Sequence, residues 1–354
     1  VAPVAPSLDD LGINSEEQTI LLSQIENITH VCTEQEGEAC PTYLFKIYQR
    51  RNVDALIGNQ LRITEIADVV SLIGVFVPSK PTKRMASVFS KEILQGFVES
   101  GKVTSDEWNA VEFDDRFPMK ALRLCLQGRK DKIAETLVGM NKNHRPIRIM
   151  LETLLEYLPK DENRCISEYE HTVKHIGPVL QAFFESSTVT SHFLNKNSAT
   201  QKEQGLKPDR PDVIVTAGGK EIAWGEFSGP THKNDQWKNL WDFFRDIRYG
   251  KAFLDSGYKM APLFQIAYGV GSYMRLQTET RGMYVLHDVG QFTIPTTTAA
   301  VASLIGTFST LLIAKRDIEG IAKVPLDVLK RSWGYGDLDR SKLTLVQRPT
   351  DSLK

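Results

Sequence analysis

The stretch from Asp212 to Phe227 constrains the fold most. Two short runs rich in β-branched and apolar residues, Asp212–Thr216 and Glu221–Phe227, flank Ala217-Gly218-Gly219-Lys220. Two adjacent glycines supply the positive φ angles that a two-residue hairpin turn requires, so the runs are expected to be antiparallel neighbours. Three further β-type runs follow, Leu263–Val270, Tyr273–Thr278 and Met283–His287, with a second turn at Gly269 to Gly271. Between the second and third runs lies a helical pattern from about Lys233 to Ser256. Its apolar stripe is Trp237, Leu240, Trp241, Phe244, Ile247 and Leu254.

Two helices are expected ahead of the hairpin, Pro146–Leu158 and Ser167–Glu185. Ser167 suits an N-cap, and Glu168 and Glu170 suit the positive end of the helix that follows. A last helix is expected over Thr298–Arg316. The order α, β, β, α, β, β, β, α predicts an α/β (α+β) fold, a mixed sheet flanked by helices.

The chain before this region has a different texture. Residues 1–13 are Pro-rich and expected to lack fixed structure, and a helix start is expected at Ser15. Helical spacing recurs over Thr42–Arg51, Ile63–Phe76, Val88–Val98, Ser105–Val111, Pro118–Leu126 and Asp131–Met140, broken at 76–84 by two prolines and a basic cluster. The expected organisation is a disordered start over 1–13, a mostly α-helical domain of unassigned role over 14–145, a mixed α/β domain over 146–320 and an extension over 321–354.

With 354 residues the chain has room for about two domains. The formal net charge is -1, so contact with nucleic acid has to rest on a local basic patch and not on a global field. Cys32, Cys40, Cys125 and Cys165 show no CxxC spacing and are expected to be free thiols of a reducing compartment. No apolar run is long enough to span a bilayer, and the first ten residues lack the basic-then-apolar pattern of a secretory signal. The expectation is an intracellular protein of the nucleus or cytoplasm, not secreted and not in a membrane.

The chemistry centres on the hairpin. Asp212 opens one strand, and Glu226 stands 14 residues later near the end of the next. Neighbouring strands lie about 4.8 Å apart, so two carboxylates at one end of such a pair can share a hard divalent ion. Mg²⁺ (or Mn²⁺) accepts one or two carboxylates and keeps several waters. Such an ion polarises a phosphate and lowers the pKa of an attacking water. Asp209 competes with Asp212 for the first position, and Asp212 is favoured because the apolar run begins directly after it. Taken singly, Asp212 suits a turn and Glu226 an exposed strand position.

Pro211-Asp212 followed by Glu226-Phe227-Ser228 resembles the signature of the PD-(D/E)XK, restriction-endonuclease-like nuclease superfamily. The chain is also similar to fungal proteins of uncharacterised function that share a Ser-Glu-x-Glu helix, a Lys-Pro-Asp, a Gly-Glu-x-Lys-Pro and a following helix rich in acids and bases. The corresponding residues are Ser167-Glu168-Tyr169-Glu170, Lys207-Pro208-Asp209 or Arg210-Pro211-Asp212, Gly225 to Pro230, and Asp242 to Lys251. Gln265–Gly271 and Phe292–Pro295 resemble later parts of the pattern.

The resemblance implies Mg²⁺-dependent phosphodiester hydrolysis as an endonuclease or exonuclease, with DNA favoured over RNA as partner. It implies metal ligation by Asp212 and Glu226, assisted by Glu168 or Glu170. The sequence departs from the signature at Ser228, where the family usually has a lysine. A migrated cation is one explanation, with Lys233 and Lys238 the nearest candidates and Lys220 a weaker one. A catalytically inactive pseudo-nuclease that still binds nucleic acid is the other. A third reading is an interaction or effector-like protein dominated by its helical first half. Lys238, Arg245, Arg248 and Lys251 recur at helical spacing, either as a solvated face or as a phosphate-contacting one.

Other motifs are read structurally. His171 and His175 have metal-pair spacing, but HTVKH lacks the glutamate of HExxH. Gly225-Glu-Phe-Ser228-Gly229 is not a nucleophile elbow, because Glu226 stands where a glycine is required. Gly269-Val-Gly271 reads as a turn, and Trp224, Trp237 and Trp241 as core residues rather than base-stacking platforms.

Overall fold

The computed structural model describes residues 41–58, 60–61, 65–111, 113–140, 144–160, 167–193, 196–203, 208, 210–232, 235–280 and 283–324. The expectations for residues 1–40 and 325–354, and for Cys165, Lys207, Asp209 and Lys233, lie outside the described residues. Cys125 is a buried thiol.

The helices before the sheet region are α1 (Pro41–Ile57), α2 (Ile66–Ser71), α3 (Lys83–Ala86), α4 (Lys91–Ser100), α5 (Ser105–Asn109), α6 (Arg116–Leu126) and α7 (Ile133–Val138). The helix expected over Ile63–Phe76 ends at Ser71. The positive φ of Gly74 then turns the chain into a two-residue strand, β1 (Val75–Phe76). Polar side chains cap the starts of several of these short helices. The Thr104 hydroxyl accepts from the Glu107 amide while Glu107 accepts from the Thr104 amide, a reciprocal capping box.

Next come α8 (Arg145–Tyr157) and a continuous helical run made of α9 (Glu168–His171), a π turn (Thr172–Ile176) and α10 (Gly177–Phe184). Ser167 caps it by accepting from the Glu170 amide. The remaining elements are β2 (Val189–Phe193), α11 (Ala199–Glu203), β3 (Val213–Ala217), β4 (Lys220–Ser228), α12 (Gln236–Asp255), β5 (Met260–Ala267), β6 (Val270–Thr280), β7 (Met283–Thr293), α13 (Val301–Ile305) and α14 (Phe308–Ala322). The helix expected over Thr298–Arg316 is therefore two, divided at Gly306. β2 had no expected counterpart.

The strands form one seven-stranded mixed sheet in the order β1-β7-β6-β5-β4-β3-β2. Gly218 and Gly219, at φ 56 and 80, close the β3–β4 hairpin as their sequence implies. β4 and β5 run parallel, which requires a crossover, and α12 supplies it. β1 pairs parallel with β7 at the far edge, so a segment from the helical first part completes the sheet.

The sheet is covered on both faces. α12 lies on one, where Gly250 permits close approach: a Cβ there would stand 3.1 Å from Leu263 and from Leu276. Trp224 meets Phe253 of α12 edge-on, with ring centroids 5.1 Å apart. The opposite face packs on α10 and α14 through Phe184, Phe264 and Tyr273. Burying each large side chain of this kind contributes roughly 1.5–3 kcal/mol. Trp224 is wholly buried, while Trp237 and Trp241 are half-buried against the same core. Among the described residues no helix is long and apolar enough to cross a membrane.

Candidate active site

Side chains alternate along β4, so Trp224, Glu226 and Ser228 share the face under α12. One turn of helix, taken as four residues, rises about 6 Å, and two residues of strand advance about 6.6 Å. Helix and strand therefore stay in step, and each inward residue of β4 meets one turn of α12. Phe253 covers Trp224, Tyr249 and Arg245 meet Glu226, and Asp242 and Lys238 meet Ser228.

At Ser228 the hydroxyl donates to Asp242 Oδ2 at 2.9 Å. The Lys238 ammonium sits 3.2 Å from the same hydroxyl and donates to Asp242 Oδ2 at 2.9 Å and to the Phe227 carbonyl at 3.0 Å. Burial opposes its charge, yet Asp242 and then Glu168 and Asp212 hold its pKa above the usual lysine value.

Two residues further in, Glu226 is 1% exposed. Its Oε1 accepts from the Tyr249 hydroxyl at 3.0 Å and pairs with Arg245 Nη2 at 2.8 Å. Burial pushes the Glu226 carboxyl well up. Arg245 opposes the shift, and Asp212, Asp246 and Asp242 add to it.

The β3–β4 register pairs Val213 with Gly225, so one step further places Asp212 across from Glu226. Asp212 Oδ2 accepts from the Phe227 amide at 2.7 Å, closing the strand end with a side chain. Burial raises the Asp212 pKa, against the pull of the Phe227 amide, Lys238 and Arg245.

The helix N-terminus closes the site from the other side. Glu168 Oε2 accepts from the Gly229 amide at 3.0 Å and lies 3.6 Å from Lys238 Nζ. A Cβ on Gly229 would stand 2.7 Å from Glu168 Cα, so only glycine lets strand and helix meet here. Tyr268, at φ 54, donates its amide to the Ser228 carbonyl at 2.8 Å. Its own carbonyl is 2.9 Å from His171 Nε2, which must therefore carry the proton. His171 Nδ1 is then the acceptor for His175 Nδ1, 2.9 Å away. Burial lowers the His171 pKa and favours this neutral arrangement. The two histidines thus brace the loop after β5.

The structure brings together Asp212, Glu226, Lys238, Arg245 and Glu168. Glu170 instead pairs with Lys174 at 2.6 Å. Lys251 pairs with Asp255 at 2.8 Å, two turns beyond Arg245, and Arg248 is half-buried. Lys220 opens β4 at the opposite end from Ser228, about 26 Å along the strand by its rise per residue.

Sequence reasoning missed Asp242 and Asp246 as site residues. Asp246 is 0% exposed, and neither carboxylate oxygen meets a donor at hydrogen-bonding geometry, the Glu226 main chain exerting only a weak pull. Burial, then Asp242, drives its pKa well up. Their signal was the four-residue spacing of Lys238, Asp242 and Asp246 over Ser228 and Glu226.

Five carboxyls, those of Asp212, Glu226, Glu168, Asp242 and Asp246, thus converge against two cations. Among the described residues no three His, Cys, Asp or Glu side chains are arranged to hold a metal. The donor set nevertheless fits a hard dication: it is all oxygen, it carries more acid than base, and neither Asp246 carboxylate oxygen meets a donor at hydrogen-bonding geometry. No family model, no curated protein and no solved structure matches the chain.

Proposed function

We propose that this chain is a restriction-endonuclease-like protein of the PD-(D/E)XK type. More specifically, we read it as a Mg²⁺- or Mn²⁺-dependent nuclease that hydrolyses phosphodiesters of nucleic acid, with DNA the favoured substrate. The supporting observation is the Lys238 ammonium, 3.2 Å from the Ser228 hydroxyl, where the family signature would carry its lysine.

In this reading Asp212 and Glu226 hold the cation, with Glu168 beside them. When bound, the ion activates water and polarises the scissile phosphate. Lys238 places a fixed positive charge where negative charge develops on the phosphate oxygens. Asp242 aims that ammonium by holding it from one turn further along α12. Glu168 keeps the strand end in place through the Gly229 amide.

The closure of Glu226 favours one alternative, a pseudo-nuclease that binds nucleic acid without cutting it. Its carboxylate is 1% exposed and already paired with Arg245 and Tyr249.

The test is cleavage of a mixed DNA and RNA panel with Mg²⁺ or Mn²⁺ by wild type, Glu226→Ala and Lys238→Ala. Metal-dependent cutting that both substitutions abolish supports the nuclease. Absence of cutting, or cutting indifferent to Glu226→Ala, rejects it. Oligonucleotide binding without cutting selects the pseudo-nuclease, and cutting confined to RNA corrects the substrate.

A further inference from the structure

The Glu226 carboxylate, on which the nuclease reading rests, is not open to a cation as it stands. Its Oε1 is shared by the Arg245 guanidinium at 2.8 Å and the Tyr249 hydroxyl at 3.0 Å. A dication on this carboxylate would stand beside the guanidinium and be repelled by it, so the ion pair opposes loading for as long as it is in place. Tyr249 is buried, whereas the Arg245 side chain is 24% exposed and reaches the rim. Its other contacts are the Tyr249 hydroxyl, Asp242 Oδ1 at 3.4 Å and, at 3.1 Å, the carbonyl of Arg210, in the segment leading into Asp212. Lys238 is held differently, by the Phe227 carbonyl, Ser228 and Asp242 at 2.9–3.2 Å, and is not the group that yields.

We propose that Arg245 is a substrate-operated gate. In the free protein its guanidinium occupies Glu226. An arriving phosphodiester draws it away, and the cation loads onto Asp212 and Glu226 only then.

The exchange leaves no buried charge stranded. The guanidinium trades a carboxylate for a phosphate, a partner its planar fork fits with two parallel hydrogen bonds. Glu226 trades a monocation for a dication, beside the Asp212 and Asp242 carboxyls. Removing one member of a buried pair without replacement is strongly unfavourable, so neither half of the exchange proceeds readily alone. Metal and nucleic acid therefore bind with positive coupling, each raising the affinity for the other.

The experiment measures Mn²⁺ affinity of the full chain from the free-Mn²⁺ electron paramagnetic resonance signal. It is run with and without a hydrolysis-resistant phosphorothioate DNA, and Mn²⁺ bound by the DNA alone is subtracted. Wild type is expected to bind Mn²⁺ about tenfold or more tightly with DNA, the gain from freeing a site competent in about a tenth of molecules or fewer. Arg245→Gln is expected to bind Mn²⁺ that tightly without DNA and to gain nothing further from it. Equal wild-type affinity with and without DNA, or an Arg245→Gln affinity no tighter than wild type, overturns the gate.

Glu226→Gln separates the two claims. If it binds Mn²⁺ like wild type in every arm, the metal-site reading falls. If it loses Mn²⁺ while Arg245→Gln matches wild type, the gate alone falls. Should circular dichroism show Arg245→Gln unfolded, Arg245→Lys, whose shorter reach loosens the pair, carries the same comparison beside the wild-type arms.

Discussion

Lys238 follows Ser228 by ten residues in the chain, yet its ammonium lies 3.2 Å from the serine hydroxyl. A strand residue and a helix residue together make, in the nuclease reading, the corner that a single lysine makes in the family signature, the positive charge having changed element but kept its place. In the nuclease reading, Lys238→Ala is expected to lower kcat by roughly 10²–10³-fold, the usual loss for one preorganised charge stabiliser. Ser228→Lys combined with Lys238→Ala should recover part of that loss. Single-turnover cleavage by variants of wild-type circular dichroism checks both. Equal rates for Lys238→Ala and wild type would remove Lys238 from the chemistry.

Asp246 makes a prediction in pH. Its folded pKa is raised above the unfolded value by burial and by Asp242. Between those two values the folded state keeps a proton that the unfolded state has lost, so stability falls as pH climbs from about 4 through that window. Asp246→Asn removes this contribution. In chelator-treated protein its urea midpoint should sit close to wild type near pH 4 and rise above it toward pH 8. An advantage that shrinks with rising pH would contradict the assignment.

Gly101, the C-cap of α4, and Gly96 within it provide a contrasting pair. A Cβ at Gly101 would lie 1.8 Å from Nδ1 and 2.7 Å from Cβ of His287, a buried residue of β7 that cannot rotate clear. Gly101→Ala is expected to destabilise by about 1–3 kcal/mol. Nothing stands within 4 Å of a Cβ at Gly96 in mid-helix, so Gly96→Ala should stabilise by roughly 0.5–1 kcal/mol. Thermal melts of the two variants should move in opposite directions.

Behind the sheet, Asp317 of α14 accepts from Arg275 Nε at 2.7 Å and Nη2 at 3.1 Å, and from the Tyr273 hydroxyl, while Arg275 also reaches Glu107 at 3.0 Å. Asp317→Ala leaves the buried guanidinium with Glu107 but without its two bonds to Asp317, and is expected to cost up to about 3 kcal/mol by denaturant unfolding. Replacing the pair with Arg275→Met and Asp317→Leu should recover much of it. A double variant no better than the single one would show that Glu107 and Tyr273, and not the pair, set the cost.

The hairpin and the crossover helix were legible because local chemistry dictates them. Gly218-Gly219 reaches the positive φ a tight turn needs and is unfavourable inside a helix or strand, and the stripe from Trp237 to Leu254 has one period. β2 was not, because Val189-Thr-Ser-His-Phe193 is short and only half apolar, and it is a strand because β3 offers it an edge. β1 owes its two residues to β7 in the same way. Within the site, Asp212, Glu226 and Lys238 were visible as residues, but their contacts were not. Asp242 and Asp246 escaped notice because acids among bases on a helix ordinarily face water. Only the packing of α12 on β4 turns them inward.

β1 also bears on how this chain can be divided. Its two residues cover part of the outer margin of β7, a strand of eleven residues whose other side pairs with β6. A shortened version beginning at Arg145 would leave that margin bare, a row of unsatisfied amides and carbonyls ready to template a neighbouring molecule. Self-association of the trimmed protein is the expected result, and it would come from the exposed strand and not from any defect near Glu226.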